Sequence, residues 1–427
     1  MKKIVCITLA LLCLCVYAFA GGKSDGAKPG AAGQVTIKVF TNLPDRKNGQ
    51  GLVEQIIFDA YMKANPHINI TVEALEDEGY KTKFKAYSAG NSMPDLVSTW
   101  GQPGFIDEVI DAGLLAELNQ ADYANYGFLT GSLGGWTKNG KLYGLARNTD
   151  VMAFYYNDKL FRDNGWSVPK TYDELVALGK AIRAKGLIPV AMDGQDKWPL
   201  YIFLTDIYTK LIGADVHNQQ VNAVNTNWNA QVFLDGAVLL QNTAKGGLFQ
   251  NGFESSDYGT AMNMFTSGQA AMFYMGSWEM SMANNTDFSP EFRENLRAFT
   301  MPVIAGGKGK ATDICAWNGG GYAVSARSPV KDEAVKLLNY MFLPENWTRI
   351  AWENNVCMSA QDFSKYQTGK ETPVQKQFIS IVTGSSSVSG NPLGDLGTAE
   401  FKSRSEDLIQ QMASSAITPQ EYIKRLD

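Results

Sequence analysis

Hydrophobic and polar positions change period along this chain, and the changes mark its elements. In "QVTIKVFTN", Val35, Ile37 and Val39 alternate with Thr36 and Lys38, which predicts a strand. "GLVEQIIFDAYMKANP" follows with Ile56, Phe58, Tyr61 and Met62 at helical spacing, stopped at Asn65 and Pro66. "INITVEAL" alternates again, and "MPDLVSTW" supplies a further short strand. Strand, helix, strand is a crossover unit and implies a parallel sheet, hence an α/β fold.

Helix ends are marked by their chemistry. In "KTYDELVALGKAIRAKG", Thr171 and Glu174 form a capping box, and Leu175, Leu178 and Ile182 share one face. Arg183 and Lys185 suit the negative end of that helix, and Gly186 its C-terminal cap. In "SPVKDEAVKLLNYMF", Ser328 caps and Pro329 takes the first turn, with Val335, Leu338 and Phe342 as the buried stripe. Residues 159–263 read as largely helical, and "LRAFTMPVI" and "GGGYAVS" return to strands. Sheet elements at both ends of a helical insert predict a lobe assembled from separated segments. After the loop "GSSSVSGNP" a helix is expected over 399–414.

The start of the chain follows another logic. Lys2 and Lys3 precede an apolar run over 4–17, and Ala18, Phe19 and Ala20 form a small-x-small cleavage site. Residues 1–20 are therefore expected to be a secretory signal peptide, and residues 21–34, rich in Gly, Ala, Lys, Ser and Pro, a flexible tether. Cys13 and Cys15 follow Leu rather than a small residue, so a lipid-anchored form is disfavoured against a free periplasmic or extracellular one. Removing residues 1–20 takes away Lys2 and Lys3 and no acid, and moves the net charge from −5 to −7. No basic run points to nucleic acid or an anionic membrane. Cys315 and Cys357 remain after cleavage; they could pair or stay as buried thiols. His67 and His217 are the only histidines and sit in no metal-ligand spacing, so neither a histidine metal site nor a His-based triad is expected. The sequence calls for no cofactor.

One stretch raises the question of function. In "FTSGQAAMFYMGSWEM" a buried strand over 270–275 breaks at Gly276 and Ser277 and presents Trp278 beside Glu279. "MPDLVSTWG", "KLYGLARNTDVMAFYYNDKLFRDNGW", "WPLYIF", "FTSGQAAMFYMGSW" and "WNGGGYAVSARSPVKDEAVKLLNYMF" occur in an order that resembles the extracellular solute-binding proteins of ABC-type sugar importers, the group that includes maltose-binding protein. The resemblance runs from about Val35 to the C-terminus. It implies a two-lobed periplasmic binding protein fold of type II, joined by hinge crossovers, with a ligand cleft between lobes. The lobe boundaries it suggests are 35–147 plus about 281–340 for the N-terminal lobe, and 148–280 plus about 341–427 for the C-terminal lobe. It also implies no catalysis, a small carbohydrate ligand, delivery to the transmembrane subunits of a permease, and a monomer.

A sugar ring has an apolar face and a hydroxyl rim, so indoles and amides or carboxylates are its natural partners. Trp278, Trp100 and Trp317 are the expected platforms, each ending or flanking a strand, with Gly319 in the flexible run beside Trp317. The resemblance adds Asn42, Asn148, Asp150, Asp193 and Trp198 as polar or ring partners, and Glu279 and Tyr80 are further candidates. Asn148 and Asp150 lie in the expected hinge and could equally cap backbone groups. Gly194, Gln195 and Asp196 depart from the pattern of maltodextrin binders, which argues against malto-oligosaccharide. Trp136, Trp166, Trp228, Trp347 and Trp352 are assigned to packing. Two rivals stand: a secreted glycoside hydrolase, which would need a pair of carboxyls with divergent pKa values, and the same fold holding a polyamine, which would want convergent acids around the rings.

Overall fold

A computed structural model describes residues 33–220, 226–392, 394, 395 and 397–426. The expected signal peptide and nearly all of the tether lie outside these residues. The crossover reading is realised at once. Strand Val35–Thr41 pairs in parallel with Ile68–Ala74, from Val35 opposite Ile68 to Thr41 opposite Ala74, and helix Gly49–Ala64 connects them. Leu96–Trp100 joins in parallel on the other side, and Gly320–Val324 and Leu145–Ala146 complete a five-stranded sheet. Its core gathers Ile37, Val39, Phe40, Ile57, Phe58, Leu337 and Trp347. The helix inserts Ile57 rather than Ile56, which is exposed.

The second sheet orders Leu296–Phe299, Asp150–Asn157, Ala270–Gly276 and Ile188–Ala191, with Ala316–Trp317 also paired to Asp150–Asn157. Every residue of Ala270–Gly276 is buried, because both faces of this sheet are covered. Met152, Phe154, Tyr156, Met272 and Tyr274 enter a core against helix Trp198–Ile212, whereas Val151, Ala153, Tyr155, Phe273 and Met275 enter another with Phe378. The absence of polar alternation in "AAMFYMG" follows directly.

The lobes are therefore cut differently from the sequence expectation. Leu296–Phe299 and Ala316–Trp317 belong to the second sheet, and the chain rejoins the first only at Gly320, not near 281. Residues placed at about 341–427 in the second lobe also divide: Trp347, Ile350, Val356, Cys357 and Ala360 pack in the first core, whereas Trp352, Met358, Val374, Phe378 and Leu408 pack in the cores of the second sheet. Alternation identifies a strand but not its partner, which is chosen by contacts distant in sequence. Cys315 and Cys357 are free and buried in separate cores, so no disulfide joins them.

Local signals explain most boundaries. Thr171 Oγ1 accepts the Glu174 N–H, but the Glu174 carboxylate reaches the N–H of Lys170 rather than that of Thr171, so the capping box is half made. Helix Lys331–Met341 begins beyond Pro329, with Ser328 accepting the Val330 N–H, and buries Ala334, Leu337, Leu338 and Met341. Its stripe lies one position off the expected one: Val335 is only half-buried, although Leu338 and Phe342 are fully inside.

Trp136 is fully buried where the first sheet meets the crossover, and glycines make its slot. A Cβ on Gly321 would lie 2.5 Å from its Cζ2 and 2.1 Å from the Leu145 carbonyl oxygen, and one on Gly144 would lie 2.4 Å from its Cε3. Overpacking of this kind costs about 1–3 kcal/mol. Gly321→Ala should therefore lower the midpoint of thermal unfolding measurably, whereas Gly134→Ala, with open space around its Cβ position, should not.

Candidate functional site

The chain passes from one sheet to the other through strands whose place is set by register. Asp150, the first residue of its strand, lies opposite Trp317, and Met152 lies opposite Gly276. Trp100, the last residue of its strand, lies opposite Gly320. The carboxyl ends of Leu96–Trp100 and Ala270–Gly276 thus converge on one seam, where ligands of open α/β sheets sit.

The chain crosses this seam at residues 147–150, 317–320 and 358–361. Polar groups bind the crossings together. Thr149 N–H donates to the Met358 carbonyl at 2.8 Å, Arg147 N–H to Gly320 at 2.9 Å, and Gly101 N–H to Gly319 at 2.8 Å. Asn318 Nδ2 donates to the Thr149 hydroxyl at 2.8 Å. Asp150 lies at the centre, 5 % exposed, and accepts from Asn148 Nδ2 and from the backbone N–H groups of Gly319 and Gly320. Burial pushes its carboxyl up to about 7, against the opposing pull of Arg147, Asn148 and those two backbone groups. Asn148 and Asp150, offered from sequence as ligand partners, are spent on the hinge. Gly319 is held there as well, since a Cβ would meet Trp317 Nε1 at 2.5 Å and Asp150 Oδ2 at 3.3 Å.

One wall of the seam is aromatic. Trp278 lies 5.9 Å from Trp198 and 6.4 Å from Trp317 between ring centroids, and Trp198 lies 6.2 Å from Tyr258. Trp198 and Tyr258 each open a helix, Trp198–Ile212 and Tyr258–Thr266, and Trp278 sits in the first turn after its strand. Trp278 Nε1 donates to the Tyr258 hydroxyl at 2.9 Å, and that hydroxyl donates to Glu279. The ring folds back over its own strand end: a Cβ on Gly276 would come within 2.0 Å of Trp278 Cζ3. Glycine here is a requirement of close approach. Trp278 and Trp198 remain half-buried, while Trp317 is 8 % exposed and forms the floor.

The opposite wall carries Asn42 and Trp100. Asn42 Nδ2 donates to Asp77 at 2.9 Å, and its Oδ1 accepts from Ser98 at 3.0 Å and Arg147 Nη1 at 3.3 Å. Trp100 meets Phe105 and Tyr80 edge-on at 4.9 and 5.8 Å, with Lys81 Nζ 5.5 Å above its ring. Tyr80 is fully buried and its hydroxyl is donated to the Ser98 carbonyl, so it backs Trp100 rather than facing the seam. Two hollows elsewhere, of about 410 Å³ beside Tyr123 and Leu133 and about 620 Å³ between Lys85, Glu108 and helix Ala399–Ala413, contain none of these side chains.

Acids stand beside the ring wall, Glu279 and Asp196 both accepting from Tyr258. Asp193 is fully buried; its Oδ1 accepts the Asp196 N–H at 3.1 Å, and its carboxyl shares a hydrogen bond with the Asp196 carboxyl. Burial, then the neighbouring Asp196, pushes it up to about 9. Glu279 is raised to about 7 by burial, against the Tyr258 hydrogen bond and with Glu76 adding to the rise. Asp196 is raised as well, by burial first, against the hydrogen bond it accepts from the Asp193 carboxyl and the pull of Lys81. Among these, Tyr258, Arg147, Glu76 and Asp196 escaped sequence reasoning. The pattern that could have exposed Tyr258 is Asp257 as a helix cap followed at once by an aromatic, the arrangement by which a first helical turn offers a ring to a cleft.

Residues 46–346 match the bacterial extracellular solute-binding protein family, and the chain belongs to that family. It is 26% identical over 347 residues to a multiple sugar-binding protein of Streptococcus mutans, covering 79% of this chain and 76% of the relative. A solved protein from work on xylan utilization by the thermophilic bacterium Caldanaerobius polysaccharolyticus superposes with a TM-score of 0.84 at 27% identity, over 92% of this chain and 99% of that one. A chitin oligosaccharide binding protein superposes at 0.80 with 23% identity, over 92% and 97% of the two chains, a likeness of fold. The fold is the two-lobed α/β architecture of periplasmic solute-binding proteins.

Two measurements test this geometry. Gly276→Ala should displace the Trp278 ring and change the tryptophan emission spectrum, whereas an unchanged spectrum contradicts the packing described. Asp150, Asp206 and Glu279 are each raised to about 7 and Asp193 to about 9, so the folded protein holds protons that the unfolded chain has released. Stability of the ligand-free protein should therefore fall from pH 6.5 to pH 8.5. His217, pushed down to about 3 by burial, acts in the opposite sense, mostly below that window. Glu279→Gln should flatten the dependence.

Proposed function

We propose that this chain is the exported substrate-binding component of an ABC-type importer, which takes a sugar or oligosaccharide into the seam between its lobes, closes on it as a monomer and delivers it to a membrane permease. The observation that carries the reading is the wall of Trp198, Tyr258 and Trp278, with Trp278 oriented by its hydrogen bond to Tyr258 and standing where strand ends converge on the hinge. Indole faces of this kind suit the apolar faces of sugar rings, and the nearby carboxyls suit hydroxyls. Family membership and a relative named for multiple sugars support the same assignment. Trp100 and Asn42 form the facing wall of the binding site in this reading, and Asp193 and Glu279 serve the ligand's polar rim.

The protein has no catalytic role in this reading, and the crossings at 147–150, 317–320 and 358–361 serve as the hinge. Titration calorimetry of the processed protein against a panel of mono- and oligosaccharides should give heat with at least one sugar. Trp278→Ala should weaken that ligand about 10- to 100-fold. Absence of heat from every sugar, with Trp278→Ala leaving any bound solute unaffected, would refute the reading.

A further inference from the structure

Away from the three crossings the lobes touch again, just beyond Trp100. Helix Pro103–Asp111 of the first lobe starts three residues after Trp100 and places Ile106, Val109 and Ile110 in the first core. Helix Ala399–Ala413 places Leu408, Ile409 and Met412 in the second-lobe core with Tyr201, which lies one turn along its own helix from Trp198. The beginnings of these two helices meet. Gly104 N–H donates to the Asp395 carbonyl at 3.1 Å, and Lys402 Nζ reaches Gln102 Oε1 at 3.5 Å. Lys402 also pairs with the Asp395 carboxylate and stands 5.7 Å over the Tyr201 ring, whose hydroxyl donates to Asp395 at 3.4 Å. The contact thus joins the element that carries Trp100 to the element that carries Trp198.

The fit is tight and dry. Asp395 and Gln102 are 2 % and 6 % exposed. A Cβ on Gly104 would lie 3.2 Å from the Gly397 carbonyl oxygen and 3.5 Å from Lys402 Cδ, so the surfaces are already in van der Waals contact and no sugar ring passes between them. The hollow of about 620 Å³ opens past this contact. Successive turns show the order. Lys81 lies over Trp100, and Lys85, one turn later, lines the hollow. Gln102 and Gly104 make the contact, and Glu108 lines the hollow. Lys402 makes the contact, and Ser403 and Asp407 line the hollow. The contact therefore divides the space between the lobes, with the ring wall on one side and the hollow on the other.

We infer that the binding site is blind at this end: it receives the terminus of a sugar chain rather than an internal stretch, with the terminal ring stopped against Gln102 and Lys402. The inference rests on the sugar-binding reading above and deepens it to which part of a chain is recognised. An ammonium group and an amide at the stop suit a free terminal hydroxyl. A substituent on that hydroxyl would have to enter the closed contact, so it is rejected by clash.

The test is titration calorimetry of the processed protein with whichever oligosaccharide of the panel binds, supplied free, as its benzyl glycoside at the reducing end, and with a benzyl ether on its non-reducing terminal ring. One of the two blocked forms should bind at least about tenfold more weakly than the free sugar, and the other within about threefold of it. Lys402→Ala, checked for an unchanged melting temperature, should bring the rejected form several-fold closer to the free sugar. Should that variant fail to fold, Gln102→Ala trims the same contact from the other lobe. Equal effects of the two blocks, whether slight or severe, would overturn the inference and leave the sugar-binding reading standing, as would an unchanged ratio of blocked to free sugar in a folded trimmed variant. Absence of binding by every sugar would overturn both.

Discussion

A single buried carboxylate at a chain crossing sets the conditions for everything around it. Asp150 accepts hydrogen bonds from Asn148 and from the backbone of Gly319 and Gly320, and so ties two strands that run between the lobes. The third crossing is joined to the first by the Thr149 to Met358 bond. Because Asp150 lies opposite Trp317 and two residues from the partner of Gly276, the same knot fixes where the ring wall stands. A hinge in which polar groups are satisfied within a few residues can bend without exposing unpaired backbone, which suits a part that must move.

The ring wall has its own constraint. Trp278 occupies space that a side chain at 276 would fill, and its indole N–H is already given to Tyr258. What remains to it is a face. The acids beside it carry the opposite logic: burial raises Asp193 and Glu279 out of the usual carboxylate range, with Asp193 hydrogen-bonded to Asp196 and Glu279 accepting from Tyr258. A fixed apolar face beside polar groups is a surface suited to a ligand that has both characters at once.

Much of this was legible in the residues. Period changes located the parallel strands and helix at the start, the Thr171 cap, the fully buried strand before Gly276 and the final long helix. Trp278 was found as a ring at a strand end and Trp198 through the family resemblance, and they do come together. Partner choice between sheets was not legible: residues 296–299 and 316–317 alternate well enough for either sheet, and only the distant strand Asp150–Asn157 decides. Tyr80 looked available because its neighbours are polar, yet one turn of helix directs it into the core beneath Trp100. Asp150 looked like a ligand group because a carboxylate near a hinge has two uses, and the choice rests on backbone N–H groups 169 and 170 residues away in sequence. Tyr258 was missed because its role comes from a hydrogen bond to a residue 20 positions later.

The central claim is that rings fixed at strand ends take a sugar in the seam between the lobes. A crystal structure of the protein grown with a sugar that binds it tests this most directly. The account predicts density for a pyranose ring lying flat on the Trp278 indole, with a polar substituent at Asp193. Density for the sugar at any surface away from Trp278 and Trp198, with those rings packed shut, would contradict it.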